Sequence, residues 1–266
     1  MKAQFATEYL ITYGFAILII AAVLVALFEL GLFNGTAIKA QPGSCSVTRN
    51  QFGGTVLSGS CTNQDPEFVA KFNGADSYIV STAQPEGLPS VYGPQTISAW
   101  INVPSTMSTM AIGGLVNATV PSQNLLMISS GSLTTSGGVG VSAPYSYTGG
   151  WHMVTYTFDG STATLYVDGV EQGSASGSPA SSAPASNILL GTTGSSDWFS
   201  GEISNVQVYG ASLSANSVME LYQEGMGGPP ADLGDLAAWW PLNGNAEDYS
   251  GYGNSGAVAD ISFVST

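Results

Sequence analysis

Hydrophobic residues follow two different patterns along the chain. Between residues 9 and 28 the sequence reads YLITYGFAILIIAAVLVALF, twenty residues without a charge. At 1.5 Å per residue, an apolar helix of about 20 residues spans a hydrocarbon core of about 30 Å. The first pattern therefore predicts a long N-terminal hydrophobic α-helix.

From about residue 67 onward, hydrophobic positions alternate with polar ones. Short runs rich in Val, Ile, Thr, Tyr and Trp are separated by clusters of Gly, Ser, Asn and Pro, which is typical of strands and turns. The predicted strands lie near 96–103, 124–131, 138–143, 151–160 and 163–170. Asp159-Gly160 and Asp168-Gly169 predict hairpin turns. This pattern predicts a mainly β fold, a β-sandwich jelly roll.

Two details refine this prediction. In the run from 153 to 158, one strand face takes Met153, Thr155 and Thr157, and the other takes Val154, Tyr156 and Phe158. Ser-Leu-Ser at 212–214 and Gly225 also predict a short amphipathic helix between them, with Val218, Leu221 and Tyr222 on its buried face.

Charge is scarce and almost entirely acidic. The 266 residues contain 4 Lys+Arg and 18 Asp+Glu, for a net charge of -14. Nucleic-acid binding needs clustered Lys and Arg, so we expect no nucleic-acid partner. The two cysteines, Cys45 and Cys61, predict one disulfide loop in an oxidising compartment, worth about 3 kcal/mol in the chain-entropy model.

The first residues carry a recognisable motif. The segment KAQFATEYLITYGFAILI resembles the N-terminus of archaeal type IV pilin-like proteins, which have a short class III signal peptide. The resemblance implies that a prepilin peptidase cuts between Ala3 and Gln4, and that Glu8 pairs with the α-amino group of a neighbouring subunit. It thus implies a homo-oligomeric helical filament built by a membrane assembly machinery. A cleaved secretory signal is the alternative.

The β region resembles a second family. The segments FNGADSYI, TISAWINV, GGWHMVTYTFDGSTATLYVDGVEQG and FSGEISNVQVYGASLSANSVMELYQEG occur in the order seen in laminin G-like, concanavalin A-type jelly rolls. Residues 237–264 look like the segment that normally opens such a domain, yet here they close the chain. We therefore expect a circularly permuted jelly roll. Donation of this segment to a neighbouring subunit is the alternative.

These observations predict three regions. Residues 1–33 form a leader and a hydrophobic polymerisation or transmembrane helix, 34–66 a connector with the disulfide loop, and 67–266 the laminin G-like jelly roll. Asn34 and Asn117 each begin an N-x-[ST] glycosylation signal. We expect the body of the chain to be extracellular, on a filament or at the cell surface.

The loop NGNAEDYSGYGNSG is a candidate structural calcium site. It provides hard oxygen ligands from four side chains, and a fifth is expected from the segment next to it. These residues are Asn243, Asn245, Asp248, Asn254 and Asp76. The alternative is a turn rich in Asn and Asp that binds no ion.

Aromatic residues in predicted loops are candidates for sugar binding, because amphipathic rings stack on pyranose faces. They are Tyr145, Tyr147, Trp198 and Tyr252. We expect Trp100, Trp151, Trp239 and Trp240 to pack in the core, and the single His152 to be structural.

The sequence predicts no catalytic residues. Glycoside hydrolysis needs two carboxylates, whereas Glu202 is followed by Ser204 and Asn205 where partner acids are wanted. The favoured function is therefore a pilin, the structural subunit of an archaeal type IV pilus-like filament, with the jelly roll exposed for adhesion or glycan contact. The alternative is a membrane-anchored carbohydrate-binding module that does not polymerise.

Overall fold

The computed structural model describes residue 19 and the ranges 45–49, 55–59, 65–89, 93–117, 125–178 and 184–266. The chain divides into two compact units, residues 1–40 and residues 41–266. Apart from residue 19, all described residues belong to the second unit.

The prediction of a long N-terminal hydrophobic helix as part of the fold was wrong for the described structure. The helix it contains with defined bounds is α1 (Ala215–Glu224), and no helix in the described ranges is long and apolar enough to span a membrane. An apolar run indicates that its side chains avoid water, but hydrophobic periodicity alone does not determine its secondary structure. Ala3, Gln4 and Glu8 lie outside the described residues.

The described ranges contain seventeen strands. In chain order they are β1 (Ser46–Arg49), β2 (Thr55–Ser58), β3 (Phe68–Asn73), β4 (Tyr78–Ser81), β5 (Gln95–Asn102), β6 (Met110–Val116), β7 (Leu125–Ser129), β8 (Ser132–Ser136), β9 (Ser142–Pro144), β10 (His152–Phe158), β11 (Thr162–Val167), β12 (Val170–Ser176), β13 (Asn187–Leu190), β14 (Ser200–Tyr209), β15 (Leu236–Trp240), β16 (Gly256–Ala259) and β17 (Ser262–Ser265).

Two antiparallel sheets form the predicted β-sandwich. One has the order β12-β11-β10-β5-β14-β3-β17, with β15 also paired to β14. The other has the order β16-β4-β13-β6-β7-β8-β9. The hairpin β1-β2 stands apart as a small third sheet. The fold is therefore a mainly β jelly roll with one short helix.

The C-terminal segment completes this sandwich within its own chain. β15 pairs with the second half of β14, β16 with β4, and β17 with β3. Thr266 then donates its backbone N–H to the Glu67 carbonyl (3.3 Å), so the two ends of the jelly roll meet. This arrangement agrees with the permuted order and needs no strand from a neighbour.

Alternation along the strands builds the core. The β10 side chains predicted to share one face, Val154, Tyr156 and Phe158, are buried between the two sheets, and Met153 packs in a second cluster on the outer face. Trp240 is fully buried in the main core, while Trp100 and Trp239 are buried in the outer cluster. The prediction of core packing is confirmed for these three tryptophans, whereas Trp151 is only partly buried against the outer cluster.

Helix α1 covers part of the outer face of the eight-stranded sheet. The Ser214 side chain accepts a hydrogen bond from the Ser217 N–H at the N-terminus, and Gly225 ends the helix with φ 78°. Val218 and Leu221 are buried as predicted. Tyr222 is 36% exposed instead, with its ring stacked on that of Trp100 at 5.7 Å.

A buried polar network lies under this cover, on β14. Asn205 has φ 45° and sits where the pairing with β5 shifts register. Its Oδ1 accepts hydrogen bonds from Trp239 Nε1 (2.7 Å) and Gln207 Nε2 (3.2 Å), and its Nδ2 donates to the Gly228 carbonyl (3.0 Å). Every polar atom of this amide is thereby paired, which is what makes its burial tolerable.

Seven of the loops that connect the strands lie at the same end of the sandwich, because of the antiparallel strand directions. We call this end the loop rim. It comprises residues 74–77, 103–109, 130–131, 145–151, 168–169, 191–199 and 260–261. Phe68 and Ser265, paired at the start of β3 and the end of β17, lie at the opposite end.

The β1-β2 hairpin is held against the jelly roll by Arg49. The guanidinium donates to the carbonyls of Ser250 (3.0 Å), Leu233 (3.2 Å) and Leu236 (2.5 Å). It also lies 4.0 Å from the centre of the Tyr252 ring. One cation thus connects the hairpin to two separate loops.

We expect Arg49→Ala to lower the free energy of unfolding by about 2 kcal/mol, because carbonyls paired with a charge lose their donor. Hydrogen exchange should rise first in the amides of β1 and β2. Lys71→Ala, at an exposed position of β3, is the control and should change little. Equal effects of the two changes on denaturant unfolding would contradict the role given to Arg49.

Two fully buried tyrosines provide a matched pair. The Tyr209 hydroxyl donates to Gln207 Oε1 (2.5 Å), whereas the Tyr145 hydroxyl has no hydrogen-bond partner among the described residues. Burial raises the pKa of both phenols, and for Tyr145 the nearby Asp168 carboxylate and then Tyr147 add to the rise. Folding therefore favours the protonated form of both phenols.

We expect Tyr145→Phe to raise the free energy of unfolding at pH 7 by about 1 kcal/mol, because it removes an unpaired buried hydroxyl, and Tyr209→Phe to lower it by about as much. A tyrosine whose pKa is higher in the folded than in the unfolded protein stabilises the fold at pH values below its unfolded pKa of about 10. This contribution is lost as the pH rises above that value. Tyr145→Phe should therefore weaken the alkaline loss of stability. Chemical denaturation between pH 7 and 11 tests this, and identical pH profiles for Tyr145→Phe and the parent would refute it.

Candidate functional site

The loop rim brings together several residues predicted from the sequence. Tyr145, Tyr147, Trp198 and Asp76 all lie in its loops, although they are far apart in the chain. Tyr252 lies elsewhere, in the loop before β16. Tyr145 and Tyr147 share one rim loop, whereas Trp198 and Asp76 lie in two others.

The centre of the site is a ring pair with a carboxylate behind it. Tyr147 is 37% exposed, and its ring centre lies 4.6 Å from that of His152. His152 Nδ1 contacts Asp168 Oδ2 at 2.7 Å, with both side chains 24% exposed. Asp168 Oδ1 also accepts the Met153 N–H at 2.9 Å. The carboxylate thus fixes the imidazole orientation.

Backbone geometry puts Asp168 in that position. Asp168 and Gly169 form the turn between β11 and β12, with φ values of 51° and 77°. Asp and Gly tolerate this left-handed conformation better than other residues. The predicted hairpin turn is therefore confirmed, and it also aims a carboxylate at the first residue of β10.

Polar contacts connect the loop before His152 to β5 and β14. A Cβ added to Gly150 would lie 3.9 Å from His152 Nε2, and the Gly150 N–H donates to Asn102 Oδ1 (3.1 Å). Asn102 Nδ2 donates to Glu202 Oε2 (3.1 Å). Asn102 and Glu202 lie on the outer face of the sheet with Trp100, because Ile101 and Ile203 point into the main core, whereas His152 shares the face of Val154. The polar contacts therefore pass around the end of the sheet at Gly150.

Tyr145 supports the site from below. Its ring centre lies 5.2 Å from that of Tyr147, and its side chain is fully buried in the main core. It therefore positions the Tyr147 ring and is not itself open to a ligand.

Trp198 belongs to another part of the rim. It is half-buried, and its ring centre lies 6.4 Å from that of Tyr78. Tyr252, the fourth aromatic candidate, is occupied by the Arg49 guanidinium on its face. Its contacts are thus those of a structural residue.

The candidate calcium ligands already have hydrogen-bond partners. Asp248 Oδ1 accepts the N–H groups of Trp239 and Ser250, and Oδ2 accepts from Ser250 Oγ and the Asn254 N–H. This is the arrangement of a turn organised by one carboxylate.

The other candidates are engaged separately. Asn243 Oδ1 accepts the Phe68 N–H, Asn245 Oδ1 accepts the Glu247 N–H, Asn254 Oδ1 accepts the Glu86 N–H, and Asp76 Oδ1 accepts from Asn73 Nδ2. In the described ranges, no three His, Cys, Asp or Glu side chains are grouped to hold a metal ion. Calcium binding stays a prediction.

The remaining predicted sites lie on or beyond the edge of the described structure. Cys45 is disulfide-bonded, while Cys61, the second cysteine of the chain, lies outside the described residues, as does Asn34. Asn117 is described, and its Nδ2 donates to the Pro184 carbonyl. Glycosylation of either asparagine stays a prediction.

Glu202 has no acidic neighbour along β14. Ser204 is buried and donates to the Pro241 carbonyl (3.2 Å), and Asn205 belongs to the buried network. The two-carboxylate arrangement of glycoside hydrolysis is therefore not built on this strand.

Sequence reasoning missed three residues of the site. His152 was expected to be structural, Asp168 was assigned only to a turn, and Asn102 was not singled out. The turn signal at Asp168-Gly169 was visible, but only the pairing of β10, β11 and β5 shows what the turn places beside His152.

Known structures share this fold. A presumed carbohydrate-binding protein from Bacteroides ovatus aligns with a TM-score of 0.61 and 18% identity. The alignment covers 76% of this chain and 60% of that protein. A heptameric pentraxin from Limulus polyphemus aligns with a TM-score of 0.56 and 15% identity, covering 76% of this chain and 96% of the pentraxin. At such identities the likeness concerns the fold alone.

A search of curated proteins finds no significant match to the sequence. Residues 73–219, more than half of the chain, match the laminin G-like family model described as the concanavalin A-like lectin/glucanases superfamily. Those residues contain the paired strands β5, β10 and β14 and the site between them. The chain therefore belongs to the concanavalin A-like lectin/glucanase superfamily.

Proposed function

We propose that the jelly roll is a carbohydrate-binding domain that takes a sugar at Tyr147 and His152. The observation that carries this proposal is the exposed Tyr147 ring 4.6 Å from an imidazole that a carboxylate orients. An aromatic face matches the C–H face of a pyranose, and fixed polar groups beside it match the hydroxyls. The family assignment supports the same conclusion.

The side chains of the site are also preorganised by contacts with neighbouring residues. Tyr147 rests on the buried Tyr145, His152 is held by Asp168, and Asn102 is held by both Gly150 and Glu202. Binding therefore orders few side chains, and the entropic cost of association is small. His152 Nδ1 is engaged with Asp168, which leaves Nε2 to face the ligand.

We expect Tyr147→Ala to weaken glycan binding at least about tenfold, a change of 1.4 kcal/mol, because the stacking face is lost. A glycan array identifies the bound sugar, and isothermal titration with that sugar measures the loss. Tyr147→Phe keeps the ring and should retain most of the affinity. Tyr222→Ala removes a ring of similar exposure on α1 and is the control.

Binding that is equally strong in the Tyr147→Ala variant would remove the proposed site. Circular dichroism and thermal unfolding of each variant ensure that a loss reflects the site and not the fold.

The N-terminal sequence supports a second proposal about where the domain works. We propose that the chain is a pilin-type subunit, which displays the jelly roll on a surface filament. What supports it is the segment KAQFATEYL, with Glu8 in the position that the pilin resemblance assigns to subunit pairing. An amine and a carboxylate are each costly in apolar surroundings and less costly together. The disulfide at Cys45 suits an extracellular location.

Mass spectrometry of material sheared from the cell surface tests this proposal. We expect the N-terminal peptide to begin at Gln4 in a fraction of high molecular mass, and Glu8→Ala to abolish assembly. Glu8→Gln, which cannot form the ion pair, should fail likewise. Chains found only in membranes and beginning at Met1 would leave a tethered binding module. Normal filaments from Glu8→Ala would refute the pairing.

A further inference from the structure

The rim carries a second aromatic platform, which we define as Trp198 with Tyr78. Their ring centres lie 6.4 Å apart at an interplanar angle of 43°. The next residue, Phe199, is fully buried and packs edge to face on Phe72 in the main core at 5.7 Å. The backbone that carries Trp198 is therefore anchored in the core on one side.

The preceding residue anchors it on the other side. Asp197 has φ 53°, and its Oδ2 accepts from the hydroxyls of Ser196 (2.9 Å) and Thr193 (3.3 Å). Its carbonyl accepts the Ala111 N–H at the start of β6 (2.8 Å). The second platform thus combines a fixed ring with hydroxyl and carboxylate groups, as Tyr147 is combined with an imidazole and a carboxylate.

The two platforms are separated by more than one sugar ring. Tyr147 precedes β10 and Trp198 precedes β14, and β5 runs between these strands. Two strand spacings amount to about 10 Å, and β9, which precedes Tyr147, is five spacings or about 24 Å from β4, which carries Tyr78, in the other sheet. A single monosaccharide does not bridge either distance.

One loop separates the two platforms in both sheets, because β5 lies between β10 and β14 and β6 lies between β4 and β9. The loop that joins β5 and β6 lies between them and contacts the Tyr147 loop through the Gly149 N–H, which donates to the Val103 carbonyl (3.1 Å). Met107 in this intervening loop is 74% exposed. The loop between the platforms thus carries an exposed apolar side chain.

The negative charge of the rim loops limits the charge that the ligand can carry. The rim loops, all of them described, contain four acidic residues and no Lys or Arg. The acidic residues are Asp76, Asp168, Asp197 and Asp260. A uronate or sulfate group would be repelled here without a compensating cation. The rim thus favours uncharged sugars.

We propose that the rim binds a linear, uncharged oligosaccharide that contacts Tyr147 and the Trp198-Tyr78 platform at the same time. This inference rests on the proposed function of the Tyr147 site and adds its substrate class. Binding at two platforms joined by one chain makes the second contact intramolecular, so that affinity rises with chain length.

Titration of the whole chain with cello-, manno- and malto-oligosaccharides of two to six sugars tests the proposal. We expect one series to bind, its hexasaccharide about tenfold tighter than its disaccharide. Trp198→Ala should abolish that gain and leave disaccharide binding unchanged. Trp198→Phe keeps an aromatic ring and should preserve the gain, which guards against misfolding of the alanine variant. Hexagalacturonate should bind at least tenfold more weakly than the neutral hexasaccharide.

The outcomes separate the two proposals. If Tyr147→Ala weakens binding but Trp198→Ala leaves the hexasaccharide gain intact, the second platform is refuted and the proposed function stands. Equal affinity for all chain lengths, or tighter binding of hexagalacturonate, also overturns this inference. If no oligosaccharide binds and Tyr147→Ala changes nothing, the proposed function itself fails.

Discussion

The change of partner along β14 is the constraint on which the rest of the sandwich depends. β14 pairs with β5 on one side, while its other side pairs first with β3 and then with β15. The register shift near Asn205 turns the strand between these partners. An extra residue in one strand leaves backbone and side chain locally unpaired, and the buried Asn205 network resolves this by binding Trp239, Gln207 and Gly228. The network therefore pairs a buried amide at the point where β14 changes its partner from β3 to β15.

Scarce charge determines how the remaining surface is built. With 8% charged residues, polarity comes mainly from hydroxyl and amide groups, which hydrogen-bond without attracting counterions. The few charges are placed where they organise backbone: Arg49 between three carbonyls, Asp248 among four donors, and Asp168 behind His152. Such a surface suits recognition of uncharged hydroxyl-rich molecules better than recognition of polyanions.

Local sequence patterns predicted the elements whose determinants are local. The alternation in β10, the Ser214 and Gly225 caps of α1 and the turn at Asp168 were all visible in the sequence, because each depends on residues only a few positions apart. The site was predicted less well. Tyr145 is buried and Tyr252 is covered by Arg49 because of contacts across the whole fold. The role of His152 was likewise not visible in the sequence, because only the pairing of β10 and β11 places Asp168 beside it.

The meeting of the two ends of the jelly roll also determines where the rim lies relative to those ends. Thr266 donates its N–H to the Glu67 carbonyl and its hydroxyl to the Pro66 carbonyl (2.7 Å), at the end of the sandwich opposite the rim. A carrier attached at either of these ends would be separated from the rim by the full length of the strands. Crowded neighbours at the attachment end would then leave the aromatic platforms accessible.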